Sequence, residues 1–361
     1  MKQFFFIALS VMAVCANAQS GNPFAGWERL FIQPPGYVAG YAAQPPVIDG
    51  NMDDEVWQHA EWTAEFQDIE GDAQPLPYNQ TKVKMVWDED FLYIAASLAD
   101  KHVWANLNEH DQIIFYDNDF EVFIDPFHTT HQYYEIEINA LNTVFDLFLP
   151  KPYRSGGRAL ISWDCKGLQH AVNVNGTLNR PDDEDEGWTV EMAIPFKHLV
   201  PVPPVNNTLW RLGFSRVQWE TLIVDGKYVK KTDAAGKNLP EHNWVWSPVG
   251  AINMHMPERW GYLQFSTQQV GAGLPAFEMP YGERQRQYLW LVYYKQQQYR
   301  RENKKYARSL GDLGIDAAVQ IDGKNNTLSM EASSRQFTVL ISDAVQPALR
   351  INNEGLVGME H

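Results

Sequence analysis

The stretches "DNDFEVFIDP" (residues 117–126) and "HQYYEIEINA" (residues 131–140) decide the fold, because in both every second residue is apolar from Phe120 and Tyr134 onward, while the residues between them are mostly polar. Side chains of a strand point alternately to the two faces of its sheet, so each stretch predicts a strand with two unlike faces. One predicted face is apolar and contains Phe120, Val122, Ile124, Tyr134, Ile136 and Ile138. The opposite face mixes carboxylates, an amide and aromatic rings, from Glu121, Phe123, Asp125, Tyr133, Glu135, Glu137 and Asn139.

The same pattern of short strands continues over residues 47–266, where turn residues separate the strands and regular helices are lacking between them. Such spacing predicts a mainly β protein with an antiparallel β-sandwich of the jelly-roll or immunoglobulin-like kind. Near the end, "ERQRQYLWLVYYKQQQYRRENKKYARSLGDLG" predicts a helix over most of its length, and three short apolar runs after it predict a small β-meander. The chain is therefore predicted to end in a small α+β unit.

Five segments are predicted along the chain. They are a signal peptide at 1–18, an N-terminal segment at 19–46, the β-sandwich at 47–266, a linker at 267–282, and the helix with its meander at 283–361. In the signal peptide, one lysine precedes an apolar run of roughly ten residues, and Ala16-Asn17-Ala18 fits an A-x-A cleavage site. The chain is thus predicted to be exported, to the periplasm, the cell surface or the medium, with lipid anchoring at Cys15 as an alternative.

Charge and cysteine content narrow the classes of function. The formal net charge is −16, and residues 19–282 hold 17 Lys and Arg against 36 Asp and Glu. So acidic a domain repels phosphate backbones, which argues against nucleic acid and suits a neutral sugar or bound cations. Cleavage would leave Cys165 without a partner for a disulfide, and no other stretch is long and apolar enough to span a bilayer.

The mixed face of the predicted sheet has the chemistry that sugar recognition requires. Aromatic rings offer flat apolar platforms for the C–H faces of a sugar, while carboxylates and amides exchange hydrogen bonds with its hydroxyl groups. The alternative is the solvated outer face of a sandwich, which also alternates apolar and polar residues.

Residues 47–266 resemble carbohydrate-binding module family 9 in its broader family 9-like form. The resemblance lies in six stretches that occur in the order of the family: "PPVIDGNMDDEVWQHA", "VKMVWDEDFLYIAASLAD", "NDFEVFIDP", "YEIEINALNTVFD", "GWTVEMAIPF" and "HMPERWGYLQF". It implies a β-sandwich that holds one or two sugar units between two aromatic rings, with calcium ions bracing the loops.

The resemblance assigns contacts to individual positions. Phe115 matches the first ring, Asp100 an acidic contact, Glu121 a carboxylate contact and Asn139 an amide contact. Glu137 stands where the family has an arginine, and it joins the predicted contacts.

The second ring of the family falls near Met254, which is not a flat platform. His255 and Trp260 are close enough in sequence to take its place. The resemblance therefore does not specify the glycan.

Calcium prefers oxygen ligands from Asp, Asn and Glu. The predicted ligands are Asp88, Asp90, Asp117 and Asp119, with exposed acidic turns as the alternative.

The sequence thus predicts non-catalytic carbohydrate binding by an exported protein linked to polysaccharide breakdown, and no residue is assigned a catalytic role. Two alternatives stay open. A glycoside hydrolase would use a carboxylate pair drawn from Glu121, Glu135, Glu137 and Glu191. A structural or interaction protein of the cell envelope would bind no sugar. In either case the C-terminal unit is predicted to dock to another protein or to shield the sandwich.

Overall fold

A computed structural model describes residues 22–360 of the chain. The predicted signal peptide and Cys15 lie outside these residues. Among the helices of the described part, none has the length and apolar character needed to cross a lipid bilayer.

The described residues form nineteen strands and two α-helices. The helices are α1 (Glu55–His59) and α2 (Tyr281–Asn303). The strands are β1 (Gly36–Tyr41), β2 (Gln67–Asp68), β3 (Thr81–Trp87), β4 (Phe91–Ala99), β5 (Asp119–Asp125), β6 (Tyr133–Asn139), β7 (Val144–Leu149), β8 (Gln169–Asn175), β9 (Gly187–Pro195), β10 (Leu209–Gln218), β11 (Thr221–Val224), β12 (Lys227–Lys230), β13 (His242–Val245), β14 (Gly261–Gln269), β15 (Ala318–Ile321), β16 (Lys324–Ala332), β17 (Phe337–Ser342), β18 (Leu349–Asn352) and β19 (Val357–Met359).

The main domain is one large sheet that curls into two packed layers, which confirms the predicted β-sandwich. Its strand order is β7-β6-β5-β10-β14-β1-β3-β4-β9-β8, and β13 and β2 extend it beside β10. The predicted apolar face of β5 and β6 packs in the central core together with residues of β3 and β4, such as Met85 and Ile94. Since these residues are buried, packing between the two layers explains the alternation in residues 117–126 and 131–140.

The predicted N-terminal segment belongs to the sandwich rather than preceding it. Its residues 36–41 form β1, which pairs in parallel with both β14 and β3 and so joins the two layers. The sheet is therefore not purely antiparallel. The predicted range 47–266 leaves out β1, because a parallel partner distant in sequence leaves no hairpin signal beside this strand.

The C-terminal unit consists of α2 and the five-stranded sheet β15-β16-β17-β18-β19, as predicted. Its apolar core is continuous with the outside of the sandwich, because Ile69, Val245 and Val249 belong to the same buried cluster as Leu289 of α2 and Ile341 of β17. The unit thus shields one part of the sandwich. Its docking to another protein stays a prediction.

A buried ionic network fixes the start of α2 to the sandwich. The carboxylate of Glu283 lies 3.2 Å from Arg211 and 3.0 Å from His128, and it accepts a hydrogen bond of 3.1 Å from the Tyr262 hydroxyl. Arg286 adds an ion pair of 3.0 Å from the next turn of the helix.

Candidate functional site

The polar face of β5 and β6 forms the floor of a cleft of about 460 Å³. Glu121, Phe123, Glu135 and Glu137 line this floor, and side chains of three connecting loops form its walls. All four floor residues are at most 5% exposed. The alternative of a solvated outer face is therefore wrong, because loops that alternation alone cannot reveal cover this face.

The floor gathers carboxylates that face one another across neighbouring strands. Glu121 lies opposite Glu137 in the β5–β6 pair and opposite Ser215 in the β5–β10 pair. Asp119, at the start of β5, extends this row, and carboxylate oxygens of Asp119, Glu121 and Glu137 lie within 4.8 Å of one another. We call Asp119, Glu121, Glu135 and Glu137 the acidic cluster.

The acidic cluster is short of partners. Asp119 Oδ2 and Glu135 Oε2 are buried without a hydrogen-bond partner in the described structure. The buried ion pairs of the sandwich involve other carboxylates, those of Asp100, Glu258 and Glu283. Burial of an unpaired carboxylate favours its neutral form, so such a cluster requires protons or a bound cation.

The raised pKa values of the acidic cluster also reflect the burial of its carboxyl groups. Burial raises the pKa of Glu121 to about 7. Burial, reinforced by repulsion from Glu121, raises the pKa values of Asp119, Glu135 and Glu137 well above their ordinary range. At neutral pH the floor of the cleft therefore holds both charged acceptors and protonated donors, and a polyhydroxyl ligand can pair with either.

Two aromatic rings from different loops stand at the rim of the cleft. Phe115, in the loop between β4 and β5, is half-buried against Trp219, and its backbone amide donates to Glu137 Oε2 over 3.1 Å. Tyr153, in the connection from β7 to β8, is 46% exposed and packs edge-on to His255, with ring centroids 4.5 Å apart. Phe115 is thus outside the core, as its predicted role requires.

Sequence reasoning missed Tyr153, whose exposed ring lines the cleft in addition to Phe115. Met254 and His255 do line the cleft, as their predicted place near the second ring position requires. Tyr153 lies in a loop about 100 residues away in sequence, and only its exposed aromatic character in a Pro- and Gly-containing loop could have pointed to it. His255 supports the Tyr153 ring and hydrogen-bonds the Tyr133 hydroxyl through Nδ1 over 3.1 Å. Burial lowers the pKa of His255 to about 4, which leaves its imidazole neutral at pH 7.

The prediction that Trp260 contacts the sugar is wrong. Its side chain is fully buried beneath the cleft floor, where its ring packs on Phe123 and Tyr133. Its indole N–H donates to the backbone carbonyl of Met254 over 2.8 Å. Trp260 therefore supports the wall of the cleft and has no surface on which a sugar could stack.

Asp100 and Asn139 lie outside the cleft, which corrects their prediction as sugar contacts. Asp100 is buried in an ion pair of 3.0 Å with Arg216. The Asn139 amide donates to Leu107 O and Asp117 Oδ2, and its oxygen accepts from two backbone N–H groups of the following turn. Both side chains hold loops in place, a role that alternation and resemblance do not distinguish from ligand contact.

The predicted calcium ligands separate into two groups. Asp88 accepts hydrogen bonds from its own turn and from the Tyr93 hydroxyl, Asp90 is exposed beside it, and Asp117 accepts three hydrogen bonds through one oxygen. Asp88 and Asp117 are thus occupied as turn caps. Of these four residues, only Asp119 joins a convergent group of carboxylates with a free oxygen.

Glu191 is removed from the possible catalytic pairs. It lies in β9 in the other layer, where its carboxylate accepts hydrogen bonds from the Trp57 indole and from the backbone of Gly50. Of the four predicted carboxylates, Glu121, Glu135 and Glu137 therefore remain as candidates for a hydrolytic pair.

The fold and the cleft define a two-layer β-sandwich with a ligand-sized cleft on one outer face. The chain belongs to the carbohydrate family 9 binding domain-like family, whose model matches residues 48–264. A comparison with curated proteins gave no match.

Solved structures that the chain is similar to include a carbohydrate-binding module family 9 of Caldicellulosiruptor kristjanssonii in complex with cellotriose. It has a TM-score of 0.43 and 16% identity, and the match covers 67% of this chain and 100% of that chain. The glucose complex of a module from the same organism gives a TM-score of 0.43 and 16% identity over 66% and 98% of the two chains. A Bacteroides uniformis protein to which carbohydrate binding has been ascribed has a TM-score of 0.48 and 15% identity. The match covers 65% of this chain and 100% of that chain.

Proposed function

We propose that this protein binds carbohydrate in the cleft without turning it over. The observation that supports this function is the combination of two accessible rings, Phe115 and Tyr153, at the rim of a floor of buried carboxylates. Membership of the carbohydrate family 9 binding domain-like family points to the same class of ligand.

The two kinds of surface serve different parts of a sugar. The rings cover the apolar C–H faces, while the carboxyl groups of Glu121 and Glu137 exchange hydrogen bonds with hydroxyl groups, as acceptors when ionised and as donors when protonated. The volume of about 460 Å³ lies within the range of roughly 300–1,000 Å³ that is usual for small-ligand sites. A mono- or oligosaccharide matches this size.

The test of this function is binding of a glycan panel that includes glucose and cellotriose, measured by titration calorimetry and by tryptophan fluorescence. We expect Tyr153→Ala to weaken binding by up to about tenfold, because loss of a stacked ring costs about 0.5–1.5 kcal/mol. Tyr78→Ala is the matched control, since Tyr78 is 60% exposed and lies away from the cleft. The function is refuted if the wild-type protein binds no glycan of the panel, or if both variants bind equally well.

We also propose a calcium ion at Asp119, Glu121 and Glu137. Three convergent carboxylates with a free Asp119 oxygen supply the hard oxygen ligands that calcium requires, and the ion would neutralise the buried charge. After treatment with a chelator, calcium should bind the wild-type protein and Asp90→Asn equally, and Asp119→Asn much more weakly. Equal binding by all three proteins would rule out this site.

Hydrolysis is the second candidate function, because a carboxyl group with a raised pKa in a cleft can act as a general acid. The raised pKa of Glu121 beside Glu137 is the observation that favours it. Release of reducing sugar that Glu137→Gln abolishes would establish an enzyme. Sugar binding without release of reducing sugar would establish a non-catalytic binding protein.

Export and a link to polysaccharide breakdown belong to the same proposal. They are supported by the sequence of residues 1–18 and by the acidic main domain. Fractionation of cells that produce the full chain tests export, and a protein that remains in the cytoplasm contradicts it.

A further inference from the structure

A second group of acidic side chains surrounds one histidine, away from the acidic cluster. It contains His110 and Asp111 in the loop between β4 and β5, Asp146 in β7, and Asp164 in the loop before β8. One ligand atom from each residue lies within 4.8 Å of the others. We call these four residues the His110 cluster.

The distances around His110 fit coordination of one metal ion. Nε2 of His110 lies 3.4 Å from Asp111 Oδ1, 3.4 Å from Asp164 Oδ1 and 3.9 Å from Asp146 Oδ1. Zinc binds imidazole nitrogen and carboxylate oxygen at about 2.0–2.2 Å, and a tetrahedral site with such bonds separates its ligand atoms by roughly 3.4 Å. The spacing of the four side chains therefore leaves room for an ion at their centre.

Asp146 is the independent sign that the cluster is built for a ligand. Its side chain is 2% exposed, and Oδ2 accepts a hydrogen bond of 2.6 Å from the backbone amide of Cys165. Its other oxygen, Oδ1, is buried without a hydrogen-bond partner in the described structure and faces His110. A buried acceptor left without a donor is destabilising, and coordination of a cation would remove this cost.

We propose that His110, Asp111, Asp146 and Asp164 bind one divalent transition-metal ion of the zinc class. An imidazole nitrogen among the ligands favours zinc over calcium and magnesium, which take oxygen ligands. The three carboxylates bring a charge of −3, so an ion of charge +2 is favoured over a neutral ligand.

Protonated His110 is the competing explanation. Burial lowers the pKa of His110, but its hydrogen bond to Asp164 and the charges of the nearby carboxylates outweigh that effect and raise the pKa. An imidazolium ion supplies one positive charge against three carboxylates. Its Nε2–H faces Asp164 Oδ1, and the 3.9 Å from Nε2 to Asp146 Oδ1 is too long for a hydrogen bond. A divalent ion satisfies all three carboxylates at once.

The position of the cluster connects it to the cleft. Asp111 belongs to the same loop as Ile113 and Phe115, which line the cleft. Asp164 belongs to the same loop as Ile161, which also lines it. An ion at the His110 cluster would tie both loops to β7, which already accepts a hydrogen bond from the Asp111 amide at Val144 O. Its structural role would therefore be to hold two walls of the cleft in place.

The test uses full-length protein without a histidine tag, stripped with a chelator and titrated with ZnCl₂, MnCl₂ and CaCl₂ by calorimetry. We expect zinc to bind at this site with a dissociation constant in the micromolar range or below. His110→Ala should weaken zinc binding at least about 100-fold, and Asp146→Asn, which keeps an acceptor for Cys165, at least about tenfold.

Two control variants make the test specific. His59→Ala removes an exposed histidine that also pairs with an acid, and Asp119→Asn changes the acidic cluster only. Both should bind zinc at the His110 cluster like the wild type, and zinc should raise their melting temperatures equally. The proposal is overturned if the wild type binds no zinc, if His110→Ala binds it unchanged, or if this cluster prefers calcium to zinc. None of these results depends on sugar binding.

Discussion

The carboxyl groups of Glu121 and its neighbours in the acidic cluster are nearly inaccessible to water. Their burial arises from the strict alternation of β5 and β6, which sends these side chains to one face, and from three loops that close over that face. The cleft thus contains hydrogen-bonding carboxyl groups, at a cost in stability that depends on their protonation.

At the residue scale, Glu121→Gln should change how stability depends on pH. In a chelating buffer, the pKa of Glu121 is about 7 in the folded protein against an ordinary 4.5, so the folded state binds this proton more tightly. Stability due to Glu121 is then lost as pH rises from 4.5 to 7. The variant should match the wild type at pH 4.5 and exceed it at pH 8 by up to roughly 3 kcal/mol.

Urea unfolding of both proteins at several pH values measures this difference. A comparison with the wild type at each pH removes the opposite contribution of histidines such as His255, which is lost as pH falls. A difference that is constant with pH would contradict the expected shift.

Sequence reasoning succeeded at positions where a single strand determines the outcome. Phe120 and Ile136 lie in the core and Glu121 and Glu137 in the cleft, because a period of two leaves no other choice once the strands are recognised. It failed where the outcome depends on a partner far away in sequence. Trp260 looks like an available ring until Phe123 and Tyr133 are known to cover it.

At the scale of elements, α2 is held at its first turn by charges as well as by its apolar face. Burial would raise the pKa of Glu283, but His128, Arg286 and Arg211 outweigh that effect and lower it. The carboxylate therefore stays ionised, and its removal leaves Arg211 buried without its counter-charge.

Glu283→Ala should destabilise the protein by about 3–5 kcal/mol, since breaking a buried ion pair leaves an uncompensated charge. The measurement is the free energy of unfolding in urea at pH 7. Glu302→Ala is the control, because Glu302 lies on the same helix and is exposed. A loss below 1 kcal/mol for Glu283→Ala would show that the network does not hold the helix.

Helix α2 was predictable from its local sequence, whereas the place of β1 was not. Residues 283–310 contain no proline or glycine, and so long a run without these residues favours a helix. Strand β1 instead depends on parallel partners at β3 and β14, the latter more than 200 residues away, and no local pattern encodes such pairing.

At the scale of the whole molecule, the sandwich and the C-terminal unit share one apolar cluster. Ile69, Val245, Val249 and Met256 of the sandwich are buried in the same cluster as the side chains of α2. The order of segments along the sequence predicted two units, but it could not show that each completes the burial of the other.

A chain that ends at residue 280 should therefore aggregate. Removal of the C-terminal unit exposes these four side chains as a contiguous patch, and large exposed apolar patches promote association. Size-exclusion chromatography beside the full chain measures the outcome. A truncated protein that is monomeric and unfolds cooperatively would show that the sandwich is complete without the unit.

The buried thiol of Cys165 gives this molecule an internal probe. Burial raises its pKa to about 12, so it is unreactive while the fold is closed, and the only other cysteine of the sequence, Cys15, precedes the expected cleavage site. Its backbone amide is bound to Asp146, directly beside the His110 cluster. The rate at which a thiol reagent labels Cys165 thus reports how often this part of the sandwich opens, without any mutation or attached dye.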